Sequence, residues 1–242
     1  KQGDVTTGGG EYTPPAISED TDQQDQNAQM LQEILNHPEV YPQDLQELAQ
    51  KNPEALEYVY QYPQLRDQTP EIDLSAEAAS GEIPLLLQWD ARWGYQSYGS
   101  GLIGYTGCGP TCLSMVALYL TGDAKWDPAT IADYAEQEGY YVDGSGTSWD
   151  MMTEGCRHFG LEAQEVGLDE GEMASALEEG KPLICVLGPG DFTDSGHFVV
   201  VTGHTDEGFR LHDPNSPQRS AQIWSFARLS SQIKNVWAYS KL

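Results

Sequence analysis

The amino-acid sequence predicts an α+β fold in which a central buried helix packs on an antiparallel sheet. Three observations indicate this class. A glycine-rich turn at residues 105–110 leads into a helix that is apolar almost all round. Further helical patterns follow it as far as residue 179. From residue 182 the chain changes to short apolar and β-branched runs bounded by Gly, Asp and Pro, which are typical of antiparallel strands.

The central helix carries a cysteine at its start. Gly107 and Gly109 flank Cys108, so the backbone can bend sharply there and another group can approach closely. Pro110 suits the first turn of a helix, and the apolar run Leu113–Leu120 belongs inside a domain. The partial positive charge of a helix N-terminus lowers the pKa of a thiol and favours the nucleophilic thiolate. The alternative interpretation of Cys108 is a small buried core residue.

The charge balance restricts the partners. The 242 residues carry a net charge of −26, from 38 acidic and 12 basic residues. Such a surface repels nucleic acid and anionic membranes, so neither is expected as a partner. The sequence has no run of 18 apolar residues, so no membrane insertion is predicted.

The remaining cysteines and the acidic loops do not predict a metal or cofactor. Four cysteines are too few for a disulfide scaffold, and they show no paired Cys-x-x-Cys zinc pattern. We interpret Cys112, Cys156 and Cys185 as small apolar core residues. The segment Asp143–Thr147 resembles a calcium loop only loosely and lacks the full ligand spacing, so we predict a plain loop.

Composition divides the chain into four parts. Residues 1–26 contain Gly-Gly-Gly, Pro-Pro and an Asp- and Gln-rich run, which predicts a linker or disordered segment. Residues 27–67 show three short apolar stripes separated by prolines, which predicts a small helical module. Its apolar surface is small, so we expect it to pack on its neighbour. A polar spacer, 68–81, then leads into the main domain, 82–242.

Within the main domain, apolar periodicity predicts the following elements. They are a strand or extended segment at 83–87, a helix opening at Asp127-Pro128, a loop at 139–148, helices at 149–159 and 169–179, strands at 182–187, 198–203 and 209–213, a helix near 224–233 and a strand at 235–239.

One histidine is a good candidate base for the thiol. His197 stands where Ser195-Gly196 changes to the apolar run Phe198–Val201, so its ring lies at the end of a buried strand. His158 and His204 are predicted at the surface.

The predicted hairpin decides what lies beside His197. A three-residue turn, 205–207, places His197 opposite Asn215, whereas two more turn residues place it opposite Asp213. Side chains alternate along a strand, so in either register Asp213 and Asn215 share the face of His197. Either a carboxylate or an amide there could hold the imidazole tautomer. A turn of the other parity would direct Asp213 away.

The tetrahedral oxyanion of an acyl transfer needs hydrogen-bond donors. The N–H of Cys108 at the helix start is one candidate. The amide of Gln88, at the end of the predicted strand, is the other. The alternative for Gln88 is an ordinary polar residue at a strand end.

Several short motifs, in this order, resemble one family. From about Ile83 to Leu242 the sequence resembles the bacterial C39-like cysteine peptidases of the papain-like superfamily. The matching pieces are Gln88-Trp89-Asp90, Gly107-Cys108-Gly109-Pro110-Thr111, Gly188-Pro189-Gly190-Asp191-Phe192, Ser195-Gly196-His197-Phe198 and Asp213-Pro214-Asn215.

The resemblance implies a papain-like fold and a set of roles. It implies Cys108 as nucleophile, His197 as base and Asp213 as the residue that orients the base. It also implies Gln88 in the oxyanion hole. Bacteriocin-processing members have this Gln only a few residues before the Cys, whereas here Gln88 precedes Cys108 by 20 residues. The transporter segments of those enzymes are also missing from this sequence.

Three functions are therefore considered. The first is a cysteine peptidase that cleaves a peptide or protein substrate through an acyl-enzyme. The second is a cell-surface binding module that keeps the fold without turnover. The third is an acyl transferase or amidase with the same triad. The linker-like start and the resemblance predict a secreted or cell-surface protein with its targeting segment upstream; the oligomeric state is not predicted.

Overall fold

The structure, a computed structural model, describes residues 18–242, and residues 18–21 only as backbone. The helices are α1 (Ser18–Asn36), α2 (Gln43–Lys51), α3 (Leu56–Tyr60), α4 (Tyr62–Leu65), α5 (Ser75–Ala79), α6 (Ile103–Thr106), α7 (Cys108–Thr121), α8 (Pro128–Gln137), α9 (Trp149–Thr153), α10 (Glu170–Glu178), α11 (Pro217–Ser220) and α12 (Phe226–Ser230). Short 3-10 turns lie at Pro53–Ala55 and Gly155–Phe159.

The strands are β1 (Ser97–Tyr98), β2 (Gly101–Leu102), β3 (Tyr141–Val142), β4 (Gly146–Thr147), β5 (Leu161–Glu165), β6 (Leu183–Leu187), β7 (His197–Thr205), β8 (Gly208–His212), β9 (Ile223–Trp224) and β10 (Ile233–Lys241).

An antiparallel sheet with the order β5-β10-β6-β7-β8-β9 forms the centre of the main domain. Every residue of β6 is buried, because both faces of the sheet are covered. Residues of α7 pack on one face, together with Ile184 and Val200. The other face packs against Met173 of α10 and Leu229 of α12. The predicted α+β class, with a central helix on an antiparallel sheet, is confirmed.

Helix α7 is the buried element that the sequence predicts. Its residues from Gly109 to Leu118 are all buried, and Gly122 ends it in the left-handed conformation at φ 67°. The predicted close approach occurs at Gly109. A Cβ there would lie 2.5 Å from Oγ1 of Thr147, so only glycine leaves room for β4 beside the start of the helix.

Helices α1 to α4 form a small apolar core around Ile34, Leu45 and Val59. This core closes against the main domain through aromatic contacts. The rings of Tyr58 and Tyr95 stack with centroids 4.6 Å apart. The hydroxyl of Tyr95 donates to the carbonyl of Tyr58 at 2.8 Å. These contacts supply burial that a module of this size lacks by itself.

The structure differs from the predicted boundaries near the N-terminus. Residues 1–17 of the predicted linker lie outside the described residues. Residues 18–26 of that segment belong to α1 and are helical. Glutamine has a good helix propensity, and a helix anchored by the apolar residues Met30–Leu35 extends at little cost. The predicted spacer, 68–81, contains α5 and buries Leu74 in the main core.

Smaller differences concern local elements. The helix predicted at 149–159 is α9 followed by a 3-10 turn, and the loop predicted at 139–148 holds the short hairpin β3–β4. Strand β5 was not predicted, because its pattern is mostly polar and exposed. Of the described helices, none is long and apolar enough to cross a bilayer.

Candidate active site

Helix α7 places the thiol of Cys108 at its first residue, with Gly107 as the N-cap residue. The carbonyl of Gly107 accepts from the hydroxyl of Thr111 at 2.7 Å, which secures the first turn of the helix. Cys108 is partly accessible, whereas Cys112, Cys156 and Cys185 are buried free thiols. Cys108 therefore combines the helix N-terminus with access to a ligand.

The β7–β8 hairpin positions His197, and its turn differs from the predicted one. Thr205 pairs with Gly208, so the turn has two residues and not three. In a regular hairpin, a turn with an even number of residues would direct the side chain of Asp213 to the sheet face opposite that of His197. A bulge between Val201 and Gly203 shifts the register by one residue, and Val200 then pairs with His212. The register beyond the bulge is the one that the three-residue turn predicted.

His197 and Asp213 consequently meet in the interior. Nε2 of His197 lies 2.7 Å from Oδ1 of Asp213. The His197 residue is 6% exposed and Asp213 is fully buried. Because Nε2 faces the carboxylate, Nδ1 is the ring nitrogen left for another partner. Cys108 and His197 both line the same cleft.

The three groups perturb one another's ionisation. Burial by itself raises the pKa of the Cys108 thiol, but the hydrogen bond and charge of His197 and the backbone of Phe198 outweigh it, so this pKa is lowered. Burial would lower the pKa of His197, but the charge of Asp213 and the bonds to Asp213 and Cys108 raise it to about 10. Both shifts favour a thiolate beside an imidazolium.

Asp213 has further partners, and one of them, Arg219, is not among the residues that the sequence predicts for the site. Nε of Arg219 lies 2.6 Å from Oδ2 of Asp213. The N–H of Asn215 donates to Oδ1 at 2.8 Å. Burial raises the pKa of Asp213, but the cations of His197 and Arg219 outweigh that effect and the pKa is lowered. The Ser216-Pro217 pair is a helix-start signal that could have revealed how α11 turns Arg219 back toward Asp213.

We expect Arg219→Gln to destabilise the protein by about 2 kcal/mol at neutral pH. Breaking a fully buried ion pair costs about 3–5 kcal/mol, and the 23% exposure of the Arg219 side chain reduces this. The lowered pKa of Asp213 means that its contribution is present above the unfolded pKa of about 3.9 and is lost as the pH falls through the folded value. Without Arg219 this loss shifts to higher pH.

Denaturant unfolding between pH 3 and pH 7 measures both effects, and Arg210→Gln on the exposed side of β8 is the matched control. Equal unfolding curves for the two variants would contradict the prediction.

The structure distinguishes the two candidate orienting residues by their contacts. Asp213 contacts the imidazole of His197. The side chain of Asn215 instead accepts from Nδ2 of Asn52 at 3.0 Å. Two of the other histidines have different partners: His204 pairs with Glu170 at 3.2 Å and His212 with the carbonyl of Pro84 at 3.1 Å.

Gln88 is 2% exposed and lies at the edge of the same cleft as Cys108. Its Nε2 donates to the carbonyls of Gly104 and Tyr105 at 3.1 and 3.2 Å, in the turn before Cys108. Within residues 18–242 its buried Oε1 has no hydrogen-bond partner. This geometry braces the turn, and the oxyanion role of Gln88 stays a prediction.

Cys108 and His197 open into a cleft of about 730 Å³. One wall comes from the N-terminal helices, through Leu48, Lys51 and Asn52. The segments 144–149 and 190–196 contribute the facing walls. The N-terminal helices therefore border the cleft. In residues 18–242 no group of three or more His, Cys, Asp or Glu side chains could hold a metal ion.

A buried helix that starts at a cysteine and packs on an antiparallel sheet with a histidine at a strand end defines the papain-like class of fold. The model of the "Peptidase_C39 like family" matches residues 81–241. The chain therefore belongs to the C39-like peptidase family.

Two solved structures are similar to this chain. The peptidase domain of Streptococcus ComA, a bi-functional ABC transporter involved in a quorum-sensing pathway, is 20% identical, with a TM-score of 0.45, over 57% of this chain and 93% of that one. A putative C39-like peptidase from Bacillus anthracis is 16% identical, with a TM-score of 0.41, over 72% of this chain and 98% of that one. No curated protein matches the chain.

Proposed function

We propose that the protein is a cysteine peptidase that cleaves a peptide or amide bond through a Cys108-His197-Asp213 triad and an acyl-enzyme. The observation that carries the proposal is the buried imidazole of His197, bonded through Nε2 to Asp213 and lining the same cleft as the thiol of Cys108 at the start of α7. The lowered pKa of that thiol supports it. Membership in the C39-like family supports the same reaction class.

The first half-reaction forms the acyl-enzyme. The thiolate of Cys108 attacks the substrate carbonyl, and the N–H of Cys108 at the helix start stabilises the oxyanion. For Gln88 to act as second donor, its amide must first release the carbonyl of Gly104 or Tyr105. The imidazolium of His197 donates its Nδ1 proton to the leaving amine as the C–N bond breaks. The acyl group remains on sulfur as a thioester.

The second half-reaction releases the acid. Neutral His197 accepts a proton from water at Nδ1, and the resulting hydroxide attacks the thioester carbonyl. The C–S bond breaks, the carboxylic acid leaves, and the thiolate–imidazolium pair is restored. Asp213 keeps Nε2 protonated and the ring oriented in both halves. Together with Arg219 it provides a fixed charge that needs no rearrangement during the reaction.

The substrate we propose is a peptide or protein segment, bound outside the cell or at its surface. The cleft is partly open and is bordered by segments of glycine and serine, Gly144–Gly146 and Ser195–Gly196, whose side chains are small or absent. Glycines at these positions leave room for an extended chain beside the thiol.

The pH dependence of Cys108 alkylation tests the proposal. We expect iodoacetamide to react with Cys108 with an apparent pKa below the ordinary thiol value of about 8.5, since His197 stabilises the thiolate. Peptide hydrolysis should require the thiolate–imidazolium form. It should fall as the pH drops through the Cys108 pKa and as it rises through the His197 pKa, about 10.

Intact-mass and peptide-mapping mass spectrometry locate the alkylated residue, with Cys112→Ala as a control for the neighbouring thiol. An ordinary thiol pKa at Cys108 in the wild type, with no hydrolysis of a mixed peptide library, would favour the silent binding module instead.

A further inference from the structure

We propose that Asn52 and Glu54, which follow α2, are positioning residues for the triad: they hold the loop that carries Asp213. This inference rests on the proposed peptidase function and deepens it. It assigns part of the catalytic support to the N-terminal helices, which lie outside the residues 81–241 matched by the family model. The contacts that carry it join positions more than 160 residues apart in the chain.

Asn52 is a buried polar residue, 7% exposed, and both its amide nitrogen and its amide oxygen are hydrogen-bonded. Its Nδ2 donates to the backbone carbonyl of Asn215 at 2.8 Å and to the side-chain Oδ1 of Asn215 at 3.0 Å. Its Oδ1 caps the following 3-10 turn by accepting from the N–H of Glu54 at 3.1 Å. The Nδ2 donor therefore connects the end of α2 to the residue two positions after Asp213, while the Oδ1 acceptor fixes the orientation of the amide through the N–H of Glu54.

Glu54 forms hydrogen bonds with the same loop a few residues further along the chain. Its Oε1 accepts from the N–H of Gln218 at 2.8 Å, at the start of α11. Its Oε2 accepts from the hydroxyl of Ser216, the N-cap residue of that helix. A carboxylate at this place satisfies one free N–H of α11 and also favours its N-terminal dipole end. The helix therefore begins where Glu54 fixes it.

The loop so held presents the groups that surround the buried carboxylate. The N–H of Asn215 and the guanidinium of Arg219 both bond to Asp213, at 2.8 and 2.6 Å. The hydroxyl of Ser220 accepts from the N–H of Asp213 at 2.8 Å. Each of these groups lies within the segment that Asn52 and Glu54 hold. Loss of the two contacts would thus loosen Asp213 as well as its partners.

Looser placement of Asp213 has a defined chemical effect. The charge and the hydrogen bond of Asp213 are what raise the pKa of His197, and His197 in turn lowers the pKa of Cys108. A less well-placed carboxylate weakens the imidazolium and with it the thiolate. The effect of Asn52 and Glu54 should therefore be seen in the ionisation of Cys108, which a purely structural contact would leave unchanged.

Two variants of the full chain separate positioning from folding. Asn52→Asp keeps the acceptor that caps the 3-10 turn but removes the Nδ2 donor to Asn215. Glu54→Gln keeps the size of the side chain but removes the charge that holds Ser216 and the start of α11. The matched control is Glu57→Gln on α3, because the exposed Glu57 side chain accepts from Gln61 within the same helical module and has no bond to the Asp213 loop among the described residues.

The measurement is the pH profile of iodoacetamide alkylation at Cys108, with near-UV circular dichroism and thermal unfolding to confirm a folded protein. We expect both variants to raise the apparent pKa of Cys108 and to lower kcat about tenfold to 100-fold, the range expected for a misplacement of up to about 1 Å. Glu57→Gln should match the wild type. If Asn52→Asp does not fold, Glu54→Gln still decides the question.

The two possible failures are distinct. A depressed Cys108 pKa in the wild type that both folded variants retain, with kcat unchanged, would overturn the positioning role and leave the proposed peptidase in place. An ordinary thiol pKa in the wild type itself would overturn the proposed function and the positioning role with it.

Discussion

Cys108→Ala is expected to abolish peptide or amide hydrolysis, with kcat falling at least about 10³-fold, because the substitution removes the sulfur that forms the acyl-enzyme. It should also remove all rapid labelling by iodoacetamide. Cleavage of a mixed peptide library, followed by liquid chromatography and mass spectrometry, measures the first effect. The mass of the intact protein after labelling measures the second.

Cys112→Ala is the matched control, since Cys112 lies one turn further along α7 and is fully buried. Burial, with the nearby charge of Cys108, raises the pKa of the Cys112 thiol well above the ordinary value. This thiol should therefore not react with iodoacetamide, and Cys112→Ala should keep the hydrolysis and the labelling of the wild type. Labelling or hydrolysis that survives in Cys108→Ala would refute the proposed nucleophile. An added amine that diverts the acyl group from water would show that the same acyl-enzyme also performs transfer.

His197→Ala should lower kcat by roughly 10³-fold and shift the alkylation pKa of Cys108 upward to about 8.5 or higher. Two features of the site account for the expected loss of kcat and the expected rise in the Cys108 pKa. The thiolate loses its cationic partner, and burial alone raises a thiol pKa. The leaving amine also loses its proton donor. Rate profiles from pH 4 to pH 10 separate these effects, because alkylation depends only on the thiolate.

His204→Ala serves as the control, since that ring lies on the same strand, β7, but pairs with Glu170 at 3.2 Å. Equal alkylation profiles for His197→Ala and His204→Ala would mean that the buried imidazole does not control the thiol. The triad would then lose its base, and the binding-module alternative would gain support.

Local residue patterns were sufficient to predict the main helix and several strands of the fold. The apolar run after Cys108 predicted the buried helix, because a helix without a polar face is stable only inside a core. The β-branched runs predicted strands β6, β7 and β8, since their periodicity is read directly from the residues. Polar segments were harder. Strand β5 and the first turns of α1 take their structure from the elements they join, and their composition alone does not specify it.

Residue patterns alone indicate the α+β class, the helix that starts at Cys108, and a small group of candidate site residues that includes Cys108, His197 and Asp213. Which of these groups lie together depends on the tertiary packing. A bulge of one residue in β7, with the two-residue turn, directs Asp213 toward His197, and a hairpin pattern does not reveal such a shift.

The contacts of Arg219, Asn52 and Glu54 with the Asp213 loop were equally absent from the local residue patterns. Each depends on a backbone turn or a long-range contact, and such contacts arise when packed elements bring distant residues together. Local propensity depends on neighbouring residues in the chain, so it can predict a helix or a strand. It cannot predict the surroundings of Asp213, because those are formed by residues far apart in the sequence.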